Sequence, residues 1–278
     1  MLLAAIAGPG AAGIVASRLS RIGLQMRSLG NAIVDDPAGT LRMVAAIGYQ
    51  EVELTVPPGT TLDARAIRAA LTQFRLSAPS RHVSMAELFS NARRILAECQ
   101  LLGTRHLVCT DVPPEQRQSL EGYARVAQLL NAAGRLTRSV GVQLSLHPHR
   151  EDFLVRRGAV PYELLLRTTD PALVKIQMDP GVMAQVNRDP VAELEQSRGR
   201  VSTLHVKDIE QPPAQGPVML GEGRIDLPAL IAAADRAGVE HYFIEDERQG
   251  PAWERVKADY AYLSTLEFQP TGSRPPFR

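Results

Sequence analysis

The chain of 278 residues is long for a small domain but close to the roughly 250 that one (β/α)₈ barrel uses, so a single domain is expected. Hydrophobic residues at 45% and charged residues at 22% can build a substantial core and exclude a disordered composition. Lys plus Arg number 31 against 30 Asp plus Glu, which leaves no global basic field, and neither nucleic acid nor a membrane is expected as a partner.

At the N-terminus, Leu2 to Val15 is an apolar run rich in Ala and Gly. It has the length of a signal-peptide core and falls short of the roughly 20 residues that span a bilayer. Val15-Ala16-Ser17 would serve as a small-residue cleavage site, but a charged n-region is missing. Residues 1–20 therefore read either as an export leader whose start lies upstream or as an N-terminal extension. The first would place the protein in the periplasm; as the sequence stands it is placed in the cytoplasm. Residues 21–268 are assigned to the barrel and 269–278, with three prolines, to a tail.

From Ile22 the sequence alternates β-type runs with segments of helical period, the rhythm of parallel βαβ units. Ile22 to Leu29 is a first strand, followed by a helix opened by Asp36-Pro37 and stopped at Gly48. Val52 to Leu54 and a helix from Asp63 to Phe74 come next. Leu76 to Val83 precedes an amphipathic helix with Met85, Leu88, Phe89, Ala92, Ile95, Leu96 and Cys99 on one face. Cys99 and Cys109 are too few for a disulfide framework and read as buried thiols. Arg105 to Cys109 is the fourth strand, and a long helix from Pro114 to Val140 is expected to break near Gly134. Val142 to Leu146, Val174 to Met178, Val201 to Val206 and Tyr242 to Ile244 are strands five to eight. Helices at Tyr162 to Arg167, after Asp189-Pro190, at Asp226 to Ala237 and at Pro251 to Leu266 separate and close them. Eight such units predict an α/β fold, a single-domain (β/α)₈ TIM barrel. An open dinucleotide-binding sheet is disfavoured because no G-x-G-x-x-G follows the first strand.

In a barrel, side chains ending the strands converge on one rim. Strand five ends Leu146-His147-Pro148-His149, strand six Met178-Asp179-Pro180-Gly181, strand seven Leu204-His205-Val206-Lys207-Asp208 and strand eight Ile244-Glu245-Asp246-Glu247. Imidazoles and carboxylates on neighbouring strands suit a divalent ion such as Mn²⁺, Mg²⁺, Co²⁺ or Zn²⁺. Each has a plainer reading: Asp-Pro-Gly is usually a turn, and a histidine in an apolar strand is often a satisfied core residue.

These residues, with Ile22-Gly23-Leu24-Gln25, Ala46-Ile47-Gly48-Tyr49, Val52-Glu53-Leu54 and Gly221-Glu222-Gly223-Arg224-Ile225-Asp226, resemble the xylose isomerase-like barrels, the sugar phosphate isomerase/epimerase family. The resemblance implies a metal held by His147, Asp179, His205 and Glu245. It departs from many isomerases and epimerases of the family at His147, where they carry glutamate, and His149 is the competing ligand on that strand. Glu245, Lys207, Glu222 and His149 are the candidate catalytic groups, and Glu53, His82 and Arg224 the candidate substrate contacts.

A divalent ion chelated by adjacent hydroxyl and carbonyl oxygens would stabilise an enediolate, so isomerase or epimerase chemistry on a small carbohydrate is expected, with a lyase acting on an inosose or 3-keto-glycoside as the alternative. An apurinic-site endonuclease on the same barrel would call for more than the six histidines present and for a basic surface. A metal-free partner subunit is the non-enzymatic reading. A homo-oligomer is compatible with the sequence.

Overall fold

The computed structural model describes residues 16–57 and 59–269. Eight parallel strands close into a barrel: β1 (Gly23–Gln25), β2 (Glu51–Leu54), β3 (Ser77–Val83), β4 (His106–Cys109), β5 (Gln143–Leu146), β6 (Val174–Met178), β7 (Val201–Val206) and β10 (His241–Ile244), the last returning to pair with β1. A small antiparallel pair, β8 (Asp208–Ile209) with β9 (Pro217–Val218), stands on the rim after β7. Around the barrel run α1 (Ala32–Asp35), α2 (Pro37–Ile47), α3 (Ala64–Phe74), α4 (Met85–Leu102), α5 (Leu120–Arg138), α6 (Pro161–Thr168), α7 (Pro180–Gln185), α8 (Pro190–Gln196), α9 (Leu227–Ala237) and α10 (Ala252–Thr265). Among the described residues no helix is long and apolar enough to cross a membrane.

The helices begin where short polar side chains can accept from their first free N–H groups. Asp36, Asp63, Ser84, Ser119, Asp189 and Asp226 all do so, the Asp226 carboxylate accepting from Ala229 N at 3.0 Å. Each such cap contributes about 1 kcal/mol. Leu24, Val52, Leu144, Ile176, Leu204 and Ile244 are buried in the strands. The axis, by contrast, is polar: Glu53 of β2 is hydrogen-bonded to Gln177 of β6 and His205 of β7, neither of which neighbours β2 in the barrel. Buried polar groups are tolerated only when paired, and here they pair with one another.

Three local readings are corrected. The first strand stops at Gln25, because the Gln25 side chain accepts from Arg27 N at 2.6 Å and turns Met26–Leu29 into a 3₁₀ helix. The long helix starts at Leu120 under the Ser119 cap, and Gly134 does not break it. A Cβ at Gly134 would stand 2.7 Å from the Leu173 carbonyl oxygen, so that glycine serves close packing rather than a turn. A short helix, α7, follows β6 immediately, opened by Asp179-Pro180 just as Asp189-Pro190 opens α8.

Both cysteines are free and buried, and burial pushes their thiols up, to about 11 for Cys99 and about 12 for Cys109. The packed domain starts slightly before the predicted boundary: Ser17 and Phe268 exchange backbone hydrogen bonds of 2.8 and 2.9 Å. The rest of the predicted leader, 1–15, and the tail from 270 onward lie outside the described residues.

Candidate metal centre and cavity

A cavity of about 310 Å³ opens at the C-terminal rim, lined by His82, His147, His149, Asp179, Lys207, Glu245 and Glu247, with Arg27 and Glu87 on its wall. At its floor one donor atom each from Asp179, His205 and Glu245 lies within 4.8 Å of the others, and the same holds for His82, His147 and His205. His205, fully buried on β7, belongs to both groups.

The hydrogen bonds decide which ring nitrogens face the cavity. Glu53 is fully buried; its Oε2 lies 2.7 Å from His205 Nε2 and 3.0 Å from His82 Nε2, while its Oε1 accepts from Ser80 Oγ and Gln177 Nε2, both at 2.6 Å. A carboxylate accepts only, so His205 donates through Nε2, and Nδ1 is the nitrogen that a metal ion would take in place of a proton. Gln177, whose amide nitrogen is spent on Glu53 and Thr203, presents Oε1 to His147 Nδ1 at 3.0 Å. His147 therefore donates through Nδ1 and keeps Nε2 free. A carboxylate or amide behind each imidazole is the pattern that orients metal-binding histidines.

His205 Nδ1 supplies the test of fit. It is buried without a hydrogen-bond partner and stands 3.1 Å from Glu245 Oε2. A lone pair facing a carboxylate oxygen at that distance is repulsive unless a proton or a cation lies between them. Burial disfavours charge on His205, yet the Glu245 and Glu53 carboxylates raise it to about 10. Burial and the repulsion of His205, His149 and His82 hold His147 well below the usual histidine range, so its imidazole is neutral and ready to ligate. The donor set fits a divalent ion.

Lys207 lies beside these groups. Its Nζ is 3.1 Å from Asp179 Oδ2, 2.8 Å from Glu245 Oε2 and 2.7 Å from Glu247 Oε2. Burial opposes its charge, but the three carboxylates raise it well above the ordinary lysine value, so it is an ammonium. Asp179 gives its other oxygen to Gly181 N at 2.7 Å and Val182 N at 3.1 Å, which aims Oδ2 into the cavity.

Not every residue singled out in the sequence reaches this place. Glu53 does not line the cavity; it stands behind His82 and His205 and holds them. Glu222 is exposed and Arg224 lines a separate depression with Asn187 and Asp189. The reason is Asp208, buried to 1% exposure, whose carboxylate accepts from the backbone N–H of Ile209, Gly221, Gly223 and Ile225. The Lys207-Asp208 and Gly221–Asp226 motifs thus fold onto each other, and a Cβ at Gly223 would strike the Asp208 carboxylate at 2.1 Å. Asp208→Ala leaves four backbone donors without their acceptor and is expected to cost at least about 3 kcal/mol, read as a lower denaturant midpoint; an unchanged midpoint would show that the loop holds itself.

Sequence reasoning gave no role to Gln177 or Ser80, and noted Gln25 and Glu247 only as members of their motifs. Gln177 on β6 sits two residues before Asp179, which follows the strand in extended conformation, and the period of two along extended backbone was the signal that puts both on the same side.

A model of the xylose isomerase-like TIM barrel family matches residues 41–266. An inosose dehydratase from Clostridium beijerinckii is 24% identical over 148 residues, 48% of this chain and 49% of its own, so the chain spans about half the length of that curated relative. The crystal structure of a sugar phosphate isomerase/epimerase from Parabacteroides distasonis superposes with a TM-score of 0.77 at 22% identity, covering 88% of this chain and 98% of that one. A xylose isomerase-like TIM barrel protein from Mycobacterium smegmatis, in complex with magnesium, does so with a TM-score of 0.65 at 18% identity over 87% and 95%. At these identities the structural likeness carries the fold.

Proposed function

Since the chain belongs to the xylose isomerase-like TIM barrel family, we propose that it is a divalent-metal-dependent isomerase or epimerase that moves a proton next to the carbonyl of a sugar or sugar-derived substrate. The observation that carries this reading is the convergence of Asp179, His205 and Glu245 donors within 4.8 Å at the floor of the cavity. Mn²⁺, Mg²⁺, Co²⁺ or Zn²⁺ held by these three and His147 would supply Lewis-acid stabilisation of the negative charge that develops on the substrate's carbonyl oxygen. The Lys207 ammonium would donate to that oxygen in exchange for one of its three carboxylate partners. Glu245 and His149, both on the cavity wall, are the groups within reach to take the carbon-bound proton and return it.

A dehydratase is the second reading. His147 stands where many isomerases and epimerases of the family carry glutamate, which leaves the rim with fewer carboxylate bases for a two-base transfer. Proton removal followed by loss of a β-hydroxyl needs one base and an acid for the leaving group, and the substrate would then be an inosose or a 3-keto-glycoside.

Both readings are tested by NMR in heavy water with ketoses, inososes and 3-keto-glycosides. The expected result is metal-dependent exchange of a substrate carbon-bound proton for deuterium with no nicotinamide added. Glu245→Gln is expected to slow it by at least about a hundredfold. Formation of a dehydrated product selects the lyase. Turnover undiminished after chelation of the metal ends the proposal.

A further inference from the structure

The opposite, N-terminal end of the barrel carries donors that the proposed reaction does not use. His106 opens β4, His241 opens β10 and Glu240 directly precedes it. β4 and β10 stand four places apart in the ring of eight, on opposite sides, so the two imidazoles meet across the axis with 5.2 Å between centroids at 71°. One donor atom from each of His106, Glu240 and His241 lies within 4.8 Å of the others.

Two details point to a ligand rather than to ordinary core packing. The His106 side chain is only 5% exposed, yet its Nδ1 has no hydrogen-bond partner and its Nε2 is 3.7 Å from Glu240 Oε2, too far for a hydrogen bond. A buried ring nitrogen without a partner costs free energy unless a ligand takes it. His241 is oriented from behind by Glu51, 1% exposed, whose Oε2 lies 2.7 Å from Nδ1. The proton is thereby fixed on Nδ1 and the Nε2 lone pair is left free, the same carboxylate-backed arrangement that Glu53 gives His205 at the other end. Glu240 is 64% exposed beside a cavity of about 450 Å³ that also reaches Arg21 and Glu51, so an ion has a path in. Lys175, a cation whose charge acts on Glu240, donates its ammonium to the Gly199 carbonyl at 2.5 Å.

We propose that His106, Glu240 and His241 form a second metal site, at the N-terminal mouth of the barrel, for Zn²⁺ or a similar borderline transition-metal ion. Two imidazoles and one carboxylate with a remaining open position are the donor set zinc takes, whereas Mg²⁺ prefers oxygen ligands. The ion would staple β4 to β10 across the barrel and stabilise the fold by mass action. The site is independent of the reaction assigned to the rim.

The test uses the full chain, stripped with chelator and titrated with Zn²⁺ alone, with metal analysis after desalting and thermal melts with and without Zn²⁺. Glu240→Gln and His106→Asn are each expected to bind one Zn²⁺ fewer per chain than the parent and to lose part of the Zn²⁺-induced rise in melting temperature. His205→Ala, which alters the rim centre and its link to Glu53 but none of the three N-terminal donors, is expected to keep the N-terminal ion. Glu240 is exposed, so Glu240→Gln folds even if His106→Asn does not. Parent stoichiometry in Glu240→Gln, or loss of all bound Zn²⁺ in His205→Ala, overturns the proposal.

Discussion

Asp179→Ala and His205→Ala are each expected to abolish stoichiometric metal at the rim and to lower turnover by at least about a hundredfold, since Lewis-acid stabilisation is worth several kcal/mol and each 1.36 kcal/mol is a factor of ten. The two variants fail for different reasons. His205 links the two donor groups, so its removal takes a ligand from the centre and leaves the fully buried Glu53 carboxylate with one imidazole fewer. Asp179 contributes one oxygen to the centre and the other to the first turn of α7, so Ala also removes a cap worth about 1 kcal/mol. Asp179→Asn, which keeps the capping oxygen, separates the two effects: it should keep the melting temperature closer to that of the parent while still losing the ion. Metal analysis of the purified variants checks this directly, and full occupancy in both alanine variants would sink the ligand assignment.

The strands that end in chemistry were legible because a barrel makes strand ends meet, and an apolar run closing in a histidine or carboxylate is visible without any knowledge of packing. That rule brought His147, Asp179, His205 and Glu245 into view together with His149, Lys207 and Glu247, and the family resemblance singled the four out as ligands. What the sequence does not display is which end residues share the cavity floor and which hold other residues. Glu222 and Arg224 belong to a motif with the look of a site, yet its role is to close backbone N–H groups onto Asp208, a contact between residues 13 to 17 positions apart. Glu53 and Gln177 are 124 positions apart and meet only because β2 and β6 face each other across a closed ring. Gly134 shows the same limit in a helix: its neighbour, the Leu173 carbonyl, comes from another segment.

Glu53→Gln is the substitution that tests whether the axis network, rather than the cavity wall alone, sets the metal centre. Glu53 Oε2 stands within hydrogen-bond distance of two imidazole nitrogens, and both must donate because a carboxylate cannot. Burial favours the neutral acid, but His82 and His205 outweigh it and hold the carboxyl well below its usual value. An amide offers one accepting oxygen in place of two. With its oxygen toward the imidazoles, its NH₂ meets the hydrogens of Gln177 Nε2, while the Ser80 hydroxyl must turn to accept; turned the other way, it meets those of His82 and His205. Either way buried donors lose their partner, which predicts a loss of about 3–5 kcal/mol in stability. Ligand orientation suffers as well: His205 is no longer held with its lone pair on Nδ1, and loss of such a supporting carboxylate lowers metal affinity by about 10–100-fold. A substrate contact would behave differently. Because Glu53 is fully buried behind His82 and His205, the expected pattern is weaker metal binding and a lower kcat at saturating substrate, recovered in part by excess metal, with KM little changed. A variant with parental metal affinity and a raised KM would place Glu53 in contact with substrate and overturn the supporting role assigned to it.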